Sequence, residues 1–144
     1  MIVDNLSSIT SARLMTIASH AAVETAARAL LDQNVGLLVV CGPEGAIVGV
    51  LSRLDLVRHL AGERVHKTSA EPMSTDVVFC RPTDQLYDTW KSMVANQLLN
   101  LPIVDPQSRP VGVLDSRDAL KALLEAELYQ EQLLESYVAG VGYQ

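Results

Sequence analysis

Two short stretches carry the side chains with the most chemical promise. Gly49-Val50-Leu51-Ser52-Arg53-Leu54-Asp55 sets a hydroxyl and a carboxylate three residues apart. Gly112-Val113-Leu114-Asp115-Ser116-Arg117-Asp118 sets two carboxylates at the same spacing. At the head of a helix such a pair sits beside amides that have no intrahelical partner. The plain use is a cap, because Ser and Asp are good N-caps and an acid suits the positive end of the helix dipole. Nothing catalytic accompanies them. His20, His59 and His66 share no metal-ligand spacing, Ser, His and Asp form no nucleophile elbow, and no Gly-rich phosphate loop is present. The expectation is no catalytic residue, no metal, no catalytic cofactor and no enzyme.

The two stretches belong to a repeat. The offset is constant, 112 − 49 = 63 and 118 − 55 = 63, and it places Val23 on Leu86, Leu30 on Met93, Leu38 on Leu101 and Pro43 on Pro106 without a gap. A period this long means two copies of one supersecondary unit, neither large enough to hold a good core alone. Units packed as a pair leave a cleft between them, and ligands favour such clefts.

Composition narrows the class. A chain of 144 residues suits one compact domain. It is 49 % hydrophobic and 19 % charged, which supports a core and excludes a disordered chain. A net charge of −6 argues against nucleic acid as a partner, which needs a basic surface. Cys41 and Cys80 lie far apart and make no disulfide scaffold; Cys41, in the apolar run Leu37 to Cys41, reads as a buried thiol in a reducing cytosol. No apolar run approaches the ~18 residues needed to cross a membrane, and the N-terminus has no positive leader. A cytoplasmic protein without membrane contact is expected.

Each copy reads as strand, helix, strand, strand, helix. In the first, Leu14 to Ile17 is a strand, and residues 22–34 form a helix with Val23, Ala26, Ala27, Leu30 and Leu31 on one face. Gly36 closes that helix. Leu37 to Cys41 and Ala46 to Leu51 form a hairpin across Gly42-Pro43-Glu44-Gly45, and Ser52 caps a helix over 53–61 that Gly62 ends. In the second, Asp76 to Cys80 is the opening strand, and Leu86, Thr89, Trp90, Met93 and Val94 form the inner face of a helix. Leu101 to Val104 is the next strand. Pro102 has no amide to donate, so this strand belongs at a sheet edge or beside a ligand cleft. Residues 119–138 read as one long helix with Leu120, Leu123, Leu124, Leu128, Leu133, Leu134 and Tyr137 among Glu125, Glu127, Glu131 and Glu135. It packs on its own domain or serves a dimer contact. The tail Gly140-Val141-Gly142-Tyr143 reads as frayed. The boundaries are 7–62 for repeat one, 63–75 for the polar linker and lead-in, 76–124 for repeat two and 125–144 for a helical extension.

The doubled Gly-hydrophobic-x-Ser/Thr-x-x-Asp pattern after a hairpin resembles the CBS domain pair, or Bateman module. Leu101-Pro102-Ile103-Val104-Asp105, Glu71-Pro72-Met73, and Cys80-Arg81-Pro82 with Leu86 resemble further marks of that family. The resemblance spans residues 7–124. It implies an α/β (α+β) fold of two βαββα repeats about a pseudo-twofold axis, homodimerisation, and regulatory binding of AMP, ADP or ATP, less often NAD or S-adenosylmethionine.

It also implies roles. The motif Asp would accept hydrogen bonds from ribose hydroxyls, and the motif Ser or Thr would touch phosphate at a helix N-terminus. Carried over by position, Ser52 and Asp55 fill these roles, Thr16 and Ile17 frame the base, Leu37, Leu38 and Val39 line its other side, and Arg53 helps neutralise phosphate. In the second cleft Asp115 replaces the hydroxyl and opposes a phosphate. Asp118 would still hold a ribose, with Cys80, Asn100, Leu101 and Pro102 around the base and Arg81 or Arg117 near the phosphates. The expectation is one competent site per chain, and a stand-alone sensor signalling to an effector protein in trans. The alternative is a dimerisation or scaffold module with degenerate clefts.

Overall fold

The computed structural model describes residues 1–62, 68–70 and 72–142. A 3-10 turn (Val3–Leu6) leads into α1 (Ser7–Arg13), followed by β1 (Thr16–Ala18), α2 (Val23–Ala29), β2 (Leu38–Cys41), β3 (Ile47–Leu51) and α3 (Arg53–Ala61). The second copy supplies α4 (Leu86–Ala95), β4 (Asn100–Val104), β5 (Pro110–Asp115) and α5 (Ser116–Gly142). Strands β1, β2 and β3 form one sheet, with β1 parallel and β3 antiparallel to β2. Strands β4 and β5 form an antiparallel pair. Leu37 and Val39 of the first copy pack with Val113 of the second, so side chains join the two sheets.

The second sheet lacks the strand expected at 76–80. Only Cys80 bridges to Ile103, as Ile17 pairs with Val40 in the first copy. Pro102 is the reason. In the first copy the Val39 amide donates to the Met15 carbonyl at 3.0 Å. The same offset maps Val39 on Pro102 and Met15 on Val78, and proline has no N–H. The ladder therefore keeps only the bridge at Cys80, and the bond that the Val78 carbonyl would accept is missing.

The N-terminal segment, for which the sequence offers no element, is helical over Ser7–Arg13. Its Ser and Thr content gives weak intrinsic helicity, so α1 owes its order to packing. It lies across β5 of the second copy, and Val3 and Leu6 enter that copy's core with Leu86, Met93, Leu101 and Leu114. A β-carbon at Gly112 would come within 3.1 Å of the Thr10 backbone, which is why the motif glycine stands there. The linker reciprocates: Ser74 exchanges amide–carbonyl bonds of 2.8 and 3.0 Å with Val50 of β3, over Gly49. Each copy is thus completed by the segment that precedes the other in sequence.

Several apolar positions face outward. Ala27, Leu31 and Val94 are exposed rather than inner-face residues. Trp90 is partly buried against the second core and stacks with Tyr87 at 6.3 Å between ring centroids. Cys41 is half-buried and Cys80 buried; burial pushes the Cys80 thiol up to about 12. Helix α5 starts earlier and ends later than expected, continuous through Gly142. Linker residues Glu63, Arg64, His66 and Lys67, with Glu71 and Tyr143, lie outside the described residues.

Candidate functional site

The β3–α3 junction builds one side of a cleft of about 480 Å³, within the range of small-molecule sites. Ser52 caps α3, its Oγ accepting from the Asp55 amide at 3.3 Å. Asp55 answers, Oδ2 accepting from the Ser52 amide at 2.8 Å and the Ser52 hydroxyl at 3.1 Å. This box holds the Asp55 carboxylate at the helix head, with Oδ1 facing Arg58 Nη1 at 3.9 Å. Ser74, Asp76 and Val78, in the segment leading to Cys80, form another wall. The far side comes from the second copy: Gln97 through Pro102. Gln97 takes φ 56°, ending α4 in the left-handed region and turning the chain into the cleft.

The expected site residues separate into three groups. Ser52, Asp55 and Leu37 meet in this cleft, and Asn100, Leu101 and Pro102, expected in the second cleft, line it too. Ile17 and Leu38 are instead buried in the first core, Val39 lies between the sheets, and Thr16 is exposed on the short edge strand β1. Arg53 turns away. Its guanidinium donates to the carbonyls of Leu30 at 3.0 Å, Asp32 at 2.7 Å and Val35 at 2.8 Å, closing the C-terminal end of α2. Among the described residues the cation on the cleft is Arg58, one turn beyond Asp55 on the same helix face; that i, i+3 spacing was the signal available in the sequence.

The pseudo-symmetric cleft is different. Arg13 reaches from α1 to Asp118, with Nε bonded to Oδ2 and Nη2 to Oδ1 at 3.1 Å. Its Nη1 lies 3.4 Å from the Asn34 carbonyl and 3.9 Å from Asp115. Asp115 is buried and also accepts a fork from Arg117 at 3.0 and 2.7 Å. Arg81 is engaged with the Asp105 carbonyl and lies 5.2 Å from the Phe79 ring centroid. Cys80 faces a separate hollow with Asp84, Asp88 and Thr89.

Burial alone would raise the Asp115 carboxyl, but bonds from the Arg117 guanidinium and amide, with the charges of Arg117 and Arg13, hold it below the usual carboxylate range. A lowered native value stabilises the fold above the unfolded pKa, roughly pH 4, and is lost as pH falls through the native value. The urea midpoint is expected to fall between pH 5 and pH 3, and less steeply in Asp115→Asn. Equal slopes would show that Asp115 does not carry the effect.

Among the described residues, no group of three His, Cys, Asp or Glu side chains is placed to hold a metal, and no helix is long and apolar enough to cross a membrane.

Comparison with known proteins agrees with this architecture. The chain is similar to a 17.7 kDa protein of Acidianus ambivalens, 23 % identical over 95 % of this chain and 84 % of that one. It is 25 % identical to a homoserine O-acetyltransferase of Methanococcoides burtonii over 79 % of this chain but only 23 % of the enzyme. In structure it is similar to the CBS domain pair of protein MJ0100 in complex with 5′-methylthioadenosine and S-adenosyl-L-methionine. That match has a TM-score of 0.73 and 24 % identity, and covers 88 % of this chain and 98 % of that one. CBSX2 in complex with AMP matches with a TM-score of 0.72 and 21 % identity over 85 % and 97 %. The sequence profile named CBS domain matches residues 6–62 and 69–125, the two copies and most of the chain. The chain therefore belongs to the CBS domain family and carries a pair of its repeats.

Proposed function

We propose that the Ser52–Asp55 cleft binds an adenosine compound of low negative charge, with AMP as the reference ligand, and that the protein is a regulatory sensor. The observation that carries this reading is the composite cleft itself. A capped carboxylate from one repeat faces an apolar strand end from the other, so a ligand held there touches both. Asp55 would accept from the ribose hydroxyls, Ser52 and the head of α3 would meet the phosphate, and Leu37, Leu101 and Pro102 would flank the base. Among the described residues the charged side chains on the cleft are Asp55, Asp76 and Arg58. One cation against two carboxylates suits a monophosphate better than a triphosphate. The solved relatives with AMP and with methylthioadenosine and S-adenosylmethionine support the ligand class.

Such a ligand shifts the pose of the two repeats only by its differential affinity for the two poses. The readers of that shift would be a second copy and an effector protein. Exposed Leu54, Val57 and Leu60 on α3, and Leu128, Leu133, Leu134 and Tyr137 on α5, offer apolar surface for both. A reading as a scaffold finds support in the second cleft, whose polar groups are already paired.

Thermal unfolding with AMP, ADP, ATP, NAD and S-adenosylmethionine, each at millimolar concentration, tests the proposal, with sedimentation of the same samples for oligomeric state. AMP is expected to raise the melting temperature more than ADP, and ADP more than ATP. No shift with any of the five would favour the scaffold.

A further inference from the structure

We infer that Arg13 is the resident occupant of the second cleft and limits the chain to one adenosine ligand. The inference rests on the nucleotide reading of the first cleft and follows from comparing the two clefts position by position. The offset of 63 maps Asp76 on Arg13, 76 − 13 = 63, and Asp55 on Asp118. It also maps Ser52 on Asp115 and Gln97 on Asn34. In the first cleft these positions carry two carboxylates, Asp76 and Asp55, which cannot pair with each other, and both line open space. In the second they carry Arg13 and Asp118, which attract. The guanidinium spans both oxygens of Asp118 and points its remaining nitrogen at Asn34 and Asp115.

A fork on a carboxylate satisfies the same two acceptors that a ribose diol would use. The side chains of Arg13, Asp118 and Asp115 are 25 %, 18 % and 2 % exposed, so the pairing is partly withdrawn from water. A nucleoside entering there must displace a charge-assisted bidentate pair and leave Asp115 facing any phosphate. The exchange of segments described above makes this possible: α1 crosses β5, and Arg13, its last residue, falls over the head of α5.

The test converts the second cleft into a copy of the first with Arg13→Asp and Asp115→Ser, and counts AMP by calorimetry. Wild type is expected to bind one AMP per chain and the double variant two. Adding Asp55→Ala should lower these to none and one. Wild type binding two, or a natively folded double variant staying at one, would overturn the inference. Should the double variant not fold, phenylglyoxal labelling of wild type with peptide mapping decides. Arg13 is expected to react at least tenfold more slowly than the exposed Arg28, and equal rates would overturn its occupancy. Wild type that binds no AMP while Arg13 remains protected would sink the nucleotide reading and leave the occupancy supported.

Discussion

AMP at about one hundred times its dissociation constant is expected to stabilise the wild-type chain by ~2.7 kcal/mol, and Asp55→Ala is expected to abolish that gain. In a chain of this size the gain appears as a rise of roughly 5–10 °C in melting temperature. Asp55 also closes the cap of α3, accepting from the Ser52 amide and hydroxyl, so the variant loses about 0.5–2 kcal/mol before any ligand is added. Each protein is therefore compared with its own ligand-free melt. Asp55→Asn, which keeps one acceptor oxygen, should retain part of the shift. A full shift in Asp55→Ala would mean that the ligand does not use this carboxylate.

Gly49→Val should damage fold and binding together. A β-carbon at residue 49 would lie 2.8 Å from Met73 Cγ and 2.9 Å from the Ser74 carbonyl oxygen. The side chain of Met73 can move, but the backbone of Ser74 is held by its two bonds to Val50. Overpacking of this kind costs typically 1–3 kcal/mol. The segment it displaces continues into Asp76 and Val78, a wall of the cleft. Calorimetry is expected to show AMP binding weakened by at least tenfold, about 1.4 kcal/mol. Gly45→Ala is the control. It sits at φ +84° with open space around it, so it should cost about 1 kcal/mol of local strain and leave AMP affinity unchanged. Unchanged affinity in Gly49→Val would separate residues 74–78 from the ligand.

The repeat, the hairpins and the capped helix α3 were legible because they rest on local chemistry: Gly-Pro turns, an apolar run, a Ser cap. Pro102 was legible in kind, since its missing amide pointed to an edge or a cleft, and the structure shows how the ladder ends there. What escaped the sequence was which copy each segment completes. Asn100, Leu101 and Pro102 face Ser52 and Asp55 across the interface, and repeat spacing carries no record of that pairing. Residues 3–13 have no strong helical pattern, and their order comes from Gly112 and the second core. Arg53 stood beside Ser52 in the chain, yet consecutive helix residues point about 100° apart, so adjacency in sequence set the two on different faces.

Helix α5 gives small angles a long reach. Its first turns are rooted by Ala119 and Ala122 in the second core, whereas Leu124, Leu128, Tyr129, Leu133 and Leu134 stand in solvent. Twenty-seven residues make a rod about 40 Å long. Rotating the second repeat by about 10° would carry the tip through roughly 7 Å, more than one helical pitch. If ligand binding turns the repeats as proposed, the rod would act as a pointer pivoted next to Asp115, and a partner gripping its far end would read the angle between the repeats as a displacement.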